Sequence, residues 1–123
     1  KYAVEGRHYD LDNEINKILD HGSYLDKFYI VDDSRMSHSQ IFKALGDSHS
    51  AIRQETLRNP NLTNDHITKA LDDTSFHVKR VAMNIPTLTK PHIEKALKDD
   101  DIKHLAIRHP NYRIFFPNGH ETK

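Results

Sequence analysis

Three rows of basic and polar residues hold the side chains most able to engage a ligand: Arg53, Lys79 and Lys103, then Gln54, Arg80 and His104, then Arg58, Asn84 and Arg108. Members of each row are 26 and then 24 residues apart. A cation recurring once per structural unit lines up along one surface, a pattern able to follow phosphates on a nucleic-acid backbone or carboxylates on an acidic protein. The first row has a second reading, in which Arg53, Lys79 and Lys103 pair with Asp47, Asp73 and Asp99 and tie each unit to its neighbour. That ladder is the stronger reading for this row. Arg58, Arg80 and Arg108 have no obvious partner in the sequence and are the better candidates for ligand contact, with His104 beside them.

Other chemistry is poorly served. His66 and His92 are alike in position but one unit apart, about 10 Å across packed helices, too far to share a zinc ion bound at ~2 Å. Both read as helix caps. The run Asp99-Asp100-Asp101 reads as a solvated turn, because consecutive side chains point apart. The chain contains no Cys, which excludes disulfides and thiolate metal sites. It also lacks a glycine-rich phosphate loop, a G-x-S-x-G elbow and an H-E-x-x-H pair. No enzyme, cofactor, metal or small-molecule substrate is expected.

The elements that must position those rows form a repeat. Ile41 to Pro60, Ile67 to Pro86 and Ile93 to Pro110 superpose on a step of 26, aligning Ile41, Ile67 and Ile93 and the Ala-Leu pairs that follow. One step back lands on Ile15, in a degenerate fourth copy. In each full unit Ser37, Thr63 or Thr89 stands three residues before Gln40, His66 or His92, the spacing of a capping box with His in place of Glu or Gln. A short first helix follows, with Ile, Ala and Leu on one face. An aspartate turn leads to a second helix, and Pro60, Pro86 or Pro110 closes it. The third unit is two residues shorter, the loss falling in its KDDD turn. Asp10 or Asp12 is expected to cap the opening helix and His21-Gly22 to stop it. Leu25 to Val31 reads as helix by its register, although alone it resembles a strand. Tyr112, Phe115 and Phe116 are expected to fold back as a cap.

Composition agrees with such an array. Apolar residues make up 36% and the formal charge is zero, with eight acids against four Lys and Arg in residues 1–34 and the balance reversed beyond. Mean hydropathy of −0.78 suits units that bury one side only. No apolar run approaches the ~20 residues of a membrane span, so no membrane association is expected and the location is read as cytoplasmic. Opening on Lys1 suits a piece of a longer protein.

The pattern from Asp73 to Pro86 and the turn Asn59-Pro60-Asn61-Leu62-Thr63 resemble the short helical-repeat families, HEAT-like repeats and more closely the leucine-rich repeat variant. The resemblance covers about 75 residues clearly. It implies an all-α, right-handed solenoid of 26-residue two-helix units and a bacterial or phage source. The unit is longer than the variant's, and the cysteines that bind the iron-sulfur cluster of that family's best-known member are missing, so no cofactor carries over. A HEAT-like DNA glycosylase is the one enzyme the fold raises, and the chain has too few units to wrap a duplex and no Trp to stack on a base. The expected division is residues 1–36 as an N-terminal cap with the degenerate copy, 37–111 as three repeats and 112–123 as a C-terminal cap and tail. The expected function is a protein-interaction module, an adaptor or inhibitor-like scaffold that binds an acidic partner surface. The alternative is a nucleic-acid-binding module using the same second-helix residues on phosphates.

Overall fold

The computed structural model describes residues 10–120 and, for residues 1–9, only the backbone of two short antiparallel strands, β1 (Ala3–Val4) and β2 (Arg7–His8). The rest of the N-terminal strap and the tail beyond His120 lie outside the described residues. Everything else regular is helical, so the fold is all-α. Contacts divide the chain into two compact units, Lys1–Asn61 and Leu62–Lys123.

The first unit packs two helical hairpins side by side: α1 (Leu11–His21) with α2 (Tyr24–Ile30), and α3 (His38–Ala44) with α4 (Ser50–Thr56). The second holds α5 (Asn64–Leu71) with α6 (Phe76–Met83), α7 (Lys90–Leu97) with α8 (Lys103–Arg108), and a closing α9 (Pro110–Phe115). First helices pack on first helices and second on second within each unit. Helices of six to eleven residues are marginal alone in water. Their stability comes from a shared apolar seam: Ile15, Ile41 and Ile52 in the first unit and Val78, Ile93 and Ile102 in the second are fully buried. Each such side chain contributes roughly 1.5–3 kcal/mol relative to an exposed one.

Ends form as expected from the sequence. Asp10 caps α1, its carboxylate accepting the Asn13 N–H at 3.0 Å. Gly22 ends α1 where a Cβ would lie 2.7 Å from the Ile18 carbonyl oxygen. The stretch Tyr24–Ile30 is helix, capped by Ser23. Ser37 and Thr63 accept the N–H of Gln40 and His66, whose side chains accept the cap N–H in return. Pro110 differs from expectation. It opens α9 as well as closing α8, because its missing N–H costs nothing in a first turn. Tyr112 then stacks on Phe116, with ring centroids 5.6 Å apart, and shares a 2.6 Å hydrogen bond with His120 Nδ1.

Beyond capping, four side chains stitch hairpin to hairpin. Gln40 Nε2 donates to the Asp12 carbonyl oxygen at 3.2 Å while Gln40 Oε1 holds its own cap. In the second unit His92 does both jobs: Nδ1 accepts the Thr89 N–H at 3.1 Å and Nε2 donates to the Asn64 carbonyl at 3.0 Å. Those partners fix the Nε2–H tautomer, since an amide only donates and a carbonyl only accepts. At the other end of the hairpins, Asn59 Nδ2 donates to Val31 O and Asp33 O while its Oδ1 accepts the Asn61 N–H. His109 replaces that amide with a ring, donating to Ile85 O at 2.8 Å and accepting the Asn111 N–H at 3.0 Å. All four are buried, and no buried side-chain nitrogen or oxygen lacks a partner among the described residues.

This equivalence of amide and imidazole is testable by thermal unfolding. His92→Gln is expected to stay within about 1 kcal/mol of the wild type, whereas His92→Ala loses roughly 2 kcal/mol by stranding a buried amide and a carbonyl. Equal losses from the two substitutions would show that the ring, and not its pair of hydrogen bonds, matters.

Candidate functional site

The aspartates of the three turns share one local role. Asp47, Asp73 and Asp99 each accept a backbone N–H two residues on, from His49, Ser75 and Asp101, at 2.8–2.9 Å. An Asx turn of this kind sets the chain direction between the helices of a hairpin. The two residues missing from the third repeat are lost just after Asp99, and the turn bond survives.

A cation from the preceding hairpin then binds the same carboxylate. Lys27 Nζ lies 2.9 Å from Asp47 Oδ2, and Lys79 Nζ lies 2.7 Å from Asp99 Oδ2 and 3.6 Å from Asp101. The ladder therefore exists within each unit, with a different pairing from the one read in the sequence. Lys79 reaches forward to Asp99 rather than to Asp73, because its long side chain spans to the next turn. Arg53 donates to the Asp47 backbone carbonyl at 2.7 Å. Lys103 has no carboxylate partner among the described residues. Burial pushes the Asp47 and Asp99 carboxyls up, but the turn N–H bonds and the lysines outweigh it and hold both below the ordinary range. The bond to Asp99 in turn raises Lys79.

The seven candidate contact residues do not share one environment. Arg53 and Arg58 lie in the first unit, and Lys79, Arg80, Lys103, His104 and Arg108 in the second. Arg53 and Lys79 are half-buried and committed to the turns. Arg58 is exposed yet has a partner, Glu55 Oε2 at 3.6 Å, so its expected freedom is corrected. The i,i+3 spacing of Glu55, in the last turn of α4, and Arg58, just past its C-terminal cap, was a legible signal for that pair. Glu55 also meets Asp32. Burial pushes the Glu55 carboxyl up, Arg58 pulls it down, and the Asp32 contact raises it again, leaving it above its ordinary value.

Arg80, Lys103, His104 and Arg108 are exposed and carry no carboxylate among the described residues. Their elements explain why. Helices α6, α8 and α9 hold Lys79, Arg80, Lys103, Arg108 and Arg113 without a single acid, while the described acids of this unit lie on α5, α7 and the turns after them. Lys79 of α6 is matched by the turn acids, while Arg80 of α6 and Lys103 and Arg108 of α8 present positive charge with no carboxylate partner among the described residues. Between the C-terminal ends of α6 and α8 runs a groove of about 220 Å³ lined by Met83, Asn84, Pro86, Leu105, Arg108, His109 and Pro110. On the opposite side of this unit a larger and more mixed cleft of about 720 Å³ lies between α5 and α7, where Lys95 pairs with Asp72 at 2.8 Å. Its lining carries four acids, Asp72, Glu94, Asp99 and Asp100, against Lys95 and Lys98, so it does not offer a basic surface. Among the described residues no group of three His, Asp or Glu side chains could hold a metal ion, and no helix is long and apolar enough to cross a membrane.

Comparisons of the chain with family models, with curated proteins and with solved structures found no match.

The turn carboxylates give a signed pH dependence. With folded-state values below the unfolded ones, Asp47 and Asp99 contribute stability above the ordinary Asp value of about 3.9, and it is lost as pH falls through their folded values. Urea midpoints measured down through that range are expected to fall for the wild type. They fall less steeply for a D47N/D99N variant, which at neutral pH is itself less stable by about 1–2 kcal/mol. Identical pH slopes for the two proteins would remove these aspartates from the account.

Proposed function

We propose that the protein is a non-catalytic helical-repeat scaffold that binds an acidic surface on a protein partner. In this reading the 26-residue step, running in sequence from Ile15 to Ile93, builds a right-handed solenoid of two-helix units similar to HEAT-like and leucine-rich-repeat-variant proteins. A cysteine-free composition suits work in the cytoplasm. The observation that carries the reading is that α6 and α8 hold no acid and that Arg80, Lys103 and Arg108 stand exposed on them with no carboxylate partner among the described residues. Fixed cations without internal partners favour an anionic surface and speed encounter with it. Arg53, Lys79 and Arg58 belong to the frame, since each has a partner inside the chain.

A nucleic-acid reading has the same support, because exposed arginines meet phosphates as readily as carboxylates. The zero net charge of the whole chain weighs toward protein, since strong phosphate binders usually carry an excess of positive charge.

Fluorescence-anisotropy titrations separate the two. The probes are labelled polyglutamate, polylysine, single- and double-stranded DNA and RNA, at low salt and at about 0.15 M. Polyglutamate is expected to bind more tightly than any nucleic acid and to be weakened at least about tenfold by R80A/K103A/R108A. R58A, whose arginine is already paired, leaves it unchanged. Tighter, steeply salt-dependent binding of DNA or RNA would replace this reading with the nucleic-acid one. No binding of any anionic polymer at low salt would sink both.

A further inference from the structure

The groove between α6 and α8 has a counterpart by register in the first unit, and the two differ in a way that points to a ligand. Positions filled by Asn84, Leu105 and Arg108 in the second unit correspond to Asp32, Glu55 and Arg58 in the first, after the two-residue deletion. In the first unit the arginine is neutralised from within: Glu55 lies against Arg58 at 3.6 Å and against Asp32. In the second, both acids are gone. An amide and a leucine replace them, Arg108 has no carboxylate among the described residues, and Met83, Pro86, Leu105 and Pro110 give the floor an apolar character. What the first unit supplies internally, the second leaves to be supplied from outside.

We infer that this groove is a docking site for a peptide segment of a partner protein, with an acidic side chain on Arg108, where Glu55 stands in the first unit, and a neighbouring apolar side chain on the floor beside Leu105. The inference rests on the acidic-partner reading above and narrows it to one arginine and one pocket. Charge complementarity selects the acid, since no acid stands on α6, α8 or α9 to compete for Arg108. Volume and lining select the apolar neighbour, since about 220 Å³ is room for a side chain of the size of leucine and not for a folded surface. A phosphate chain alone would leave the floor unused.

The test is a proton–nitrogen NMR titration of the full chain with an acetylated peptide of alternating glutamate and leucine, beside a glutamate–serine peptide and oligodeoxythymidylate. Amide shifts are expected around Asn84, Leu105 and Arg108, with the serine peptide bound at least about tenfold more weakly for want of the buried leucine. Two variants separate charge from folding: Arg108→Gln removes the anchor at an exposed position, and Leu105→Glu restores the internal acid of the first unit. Each is expected to weaken the leucine peptide at least about tenfold, while well-dispersed spectra show that the fold is kept. Equal binding of the leucine and serine peptides, shifts centred elsewhere, or indifference to Leu105→Glu would overturn the inference. So would oligodeoxythymidylate occupying the groove more tightly than the peptide. Polyglutamate binding that R80A/K103A/R108A abolishes but Leu105→Glu leaves intact would refute the groove and keep the acidic-partner reading. Loss of polyglutamate binding altogether would remove both.

Discussion

Everything in this fold depends on the fact that none of its described helices is long enough to stand by itself. Six to eleven residues supply two or three turns, and the ordering entropy of such a piece exceeds what its own hydrogen bonds return. Burial of isoleucine and valine against the adjoining hairpin supplies the difference, but apolar contact is permissive about angle and register. Directional bonds supply the register. Gln40 and Asn59 in one unit, and His92 and His109 in the other, each satisfy a cap or turn of their own and a carbonyl of the preceding hairpin. A hairpin displaced by one residue would lose the seam and strand buried polar groups at both ends, costing about 1–3 kcal/mol for each.

Charge is handled by the same frame. The turn aspartates organise the chain through an N–H bond and then collect a lysine from the hairpin before, as Asp47 does with Lys27 and Asp99 with Lys79. Cations spent this way are not available to a ligand. What remains is set by small differences between equivalent positions. Glu55 closes the account of Arg58 in one unit, and Leu105 leaves Arg108 open in the other. On the proposed reading, a difference of this kind lets equivalent hairpins keep one architecture while binding is confined to one place, by changing a residue that the packing does not need.

Much of the fold could be read directly. The isoleucine step, the hydroxyl residues three before Gln40, His66 and His92, and the closing prolines are local signals, and local signals decide helices, caps and turns. The helix at Tyr24–Ile30 was legible only through its register, because its aromatic composition alone points to a strand. The pairing of charges was less legible. Whether Lys79 reaches back to Asp73 or forward to Asp99 depends on the rise between packed hairpins, which no spacing within one helix encodes. The internal job of Asn59 was hidden for a similar reason, since a residue before proline reads as a turn former whether or not its amide crosses to a neighbour. Of the candidate site, the arginine row was visible in the sequence. The groove beside Arg108 was not, because it is made jointly by the ends of two helices about 25 residues apart.

The stitches between hairpins have one more consequence, and it concerns descent. Gln40, Asn59, His92 and His109 all reach backbone carbonyls, of Asp12, Val31, Asn64 and Ile85. A carbonyl is the same whichever residue carries it. Substitution at Val31, Asn64 or Ile85 therefore leaves the bond in place and asks no compensating change of the donor, whereas Gln40 also meets the side chains of Asp12, at 2.8 Å, and Asn16. At those three positions the hairpins can drift in sequence while the joint persists, and correlated substitution, the usual trace of contact in a lineage, is erased there; it is kept where side chain meets side chain, as between Lys27 and Asp47 and between Lys79 and Asp99.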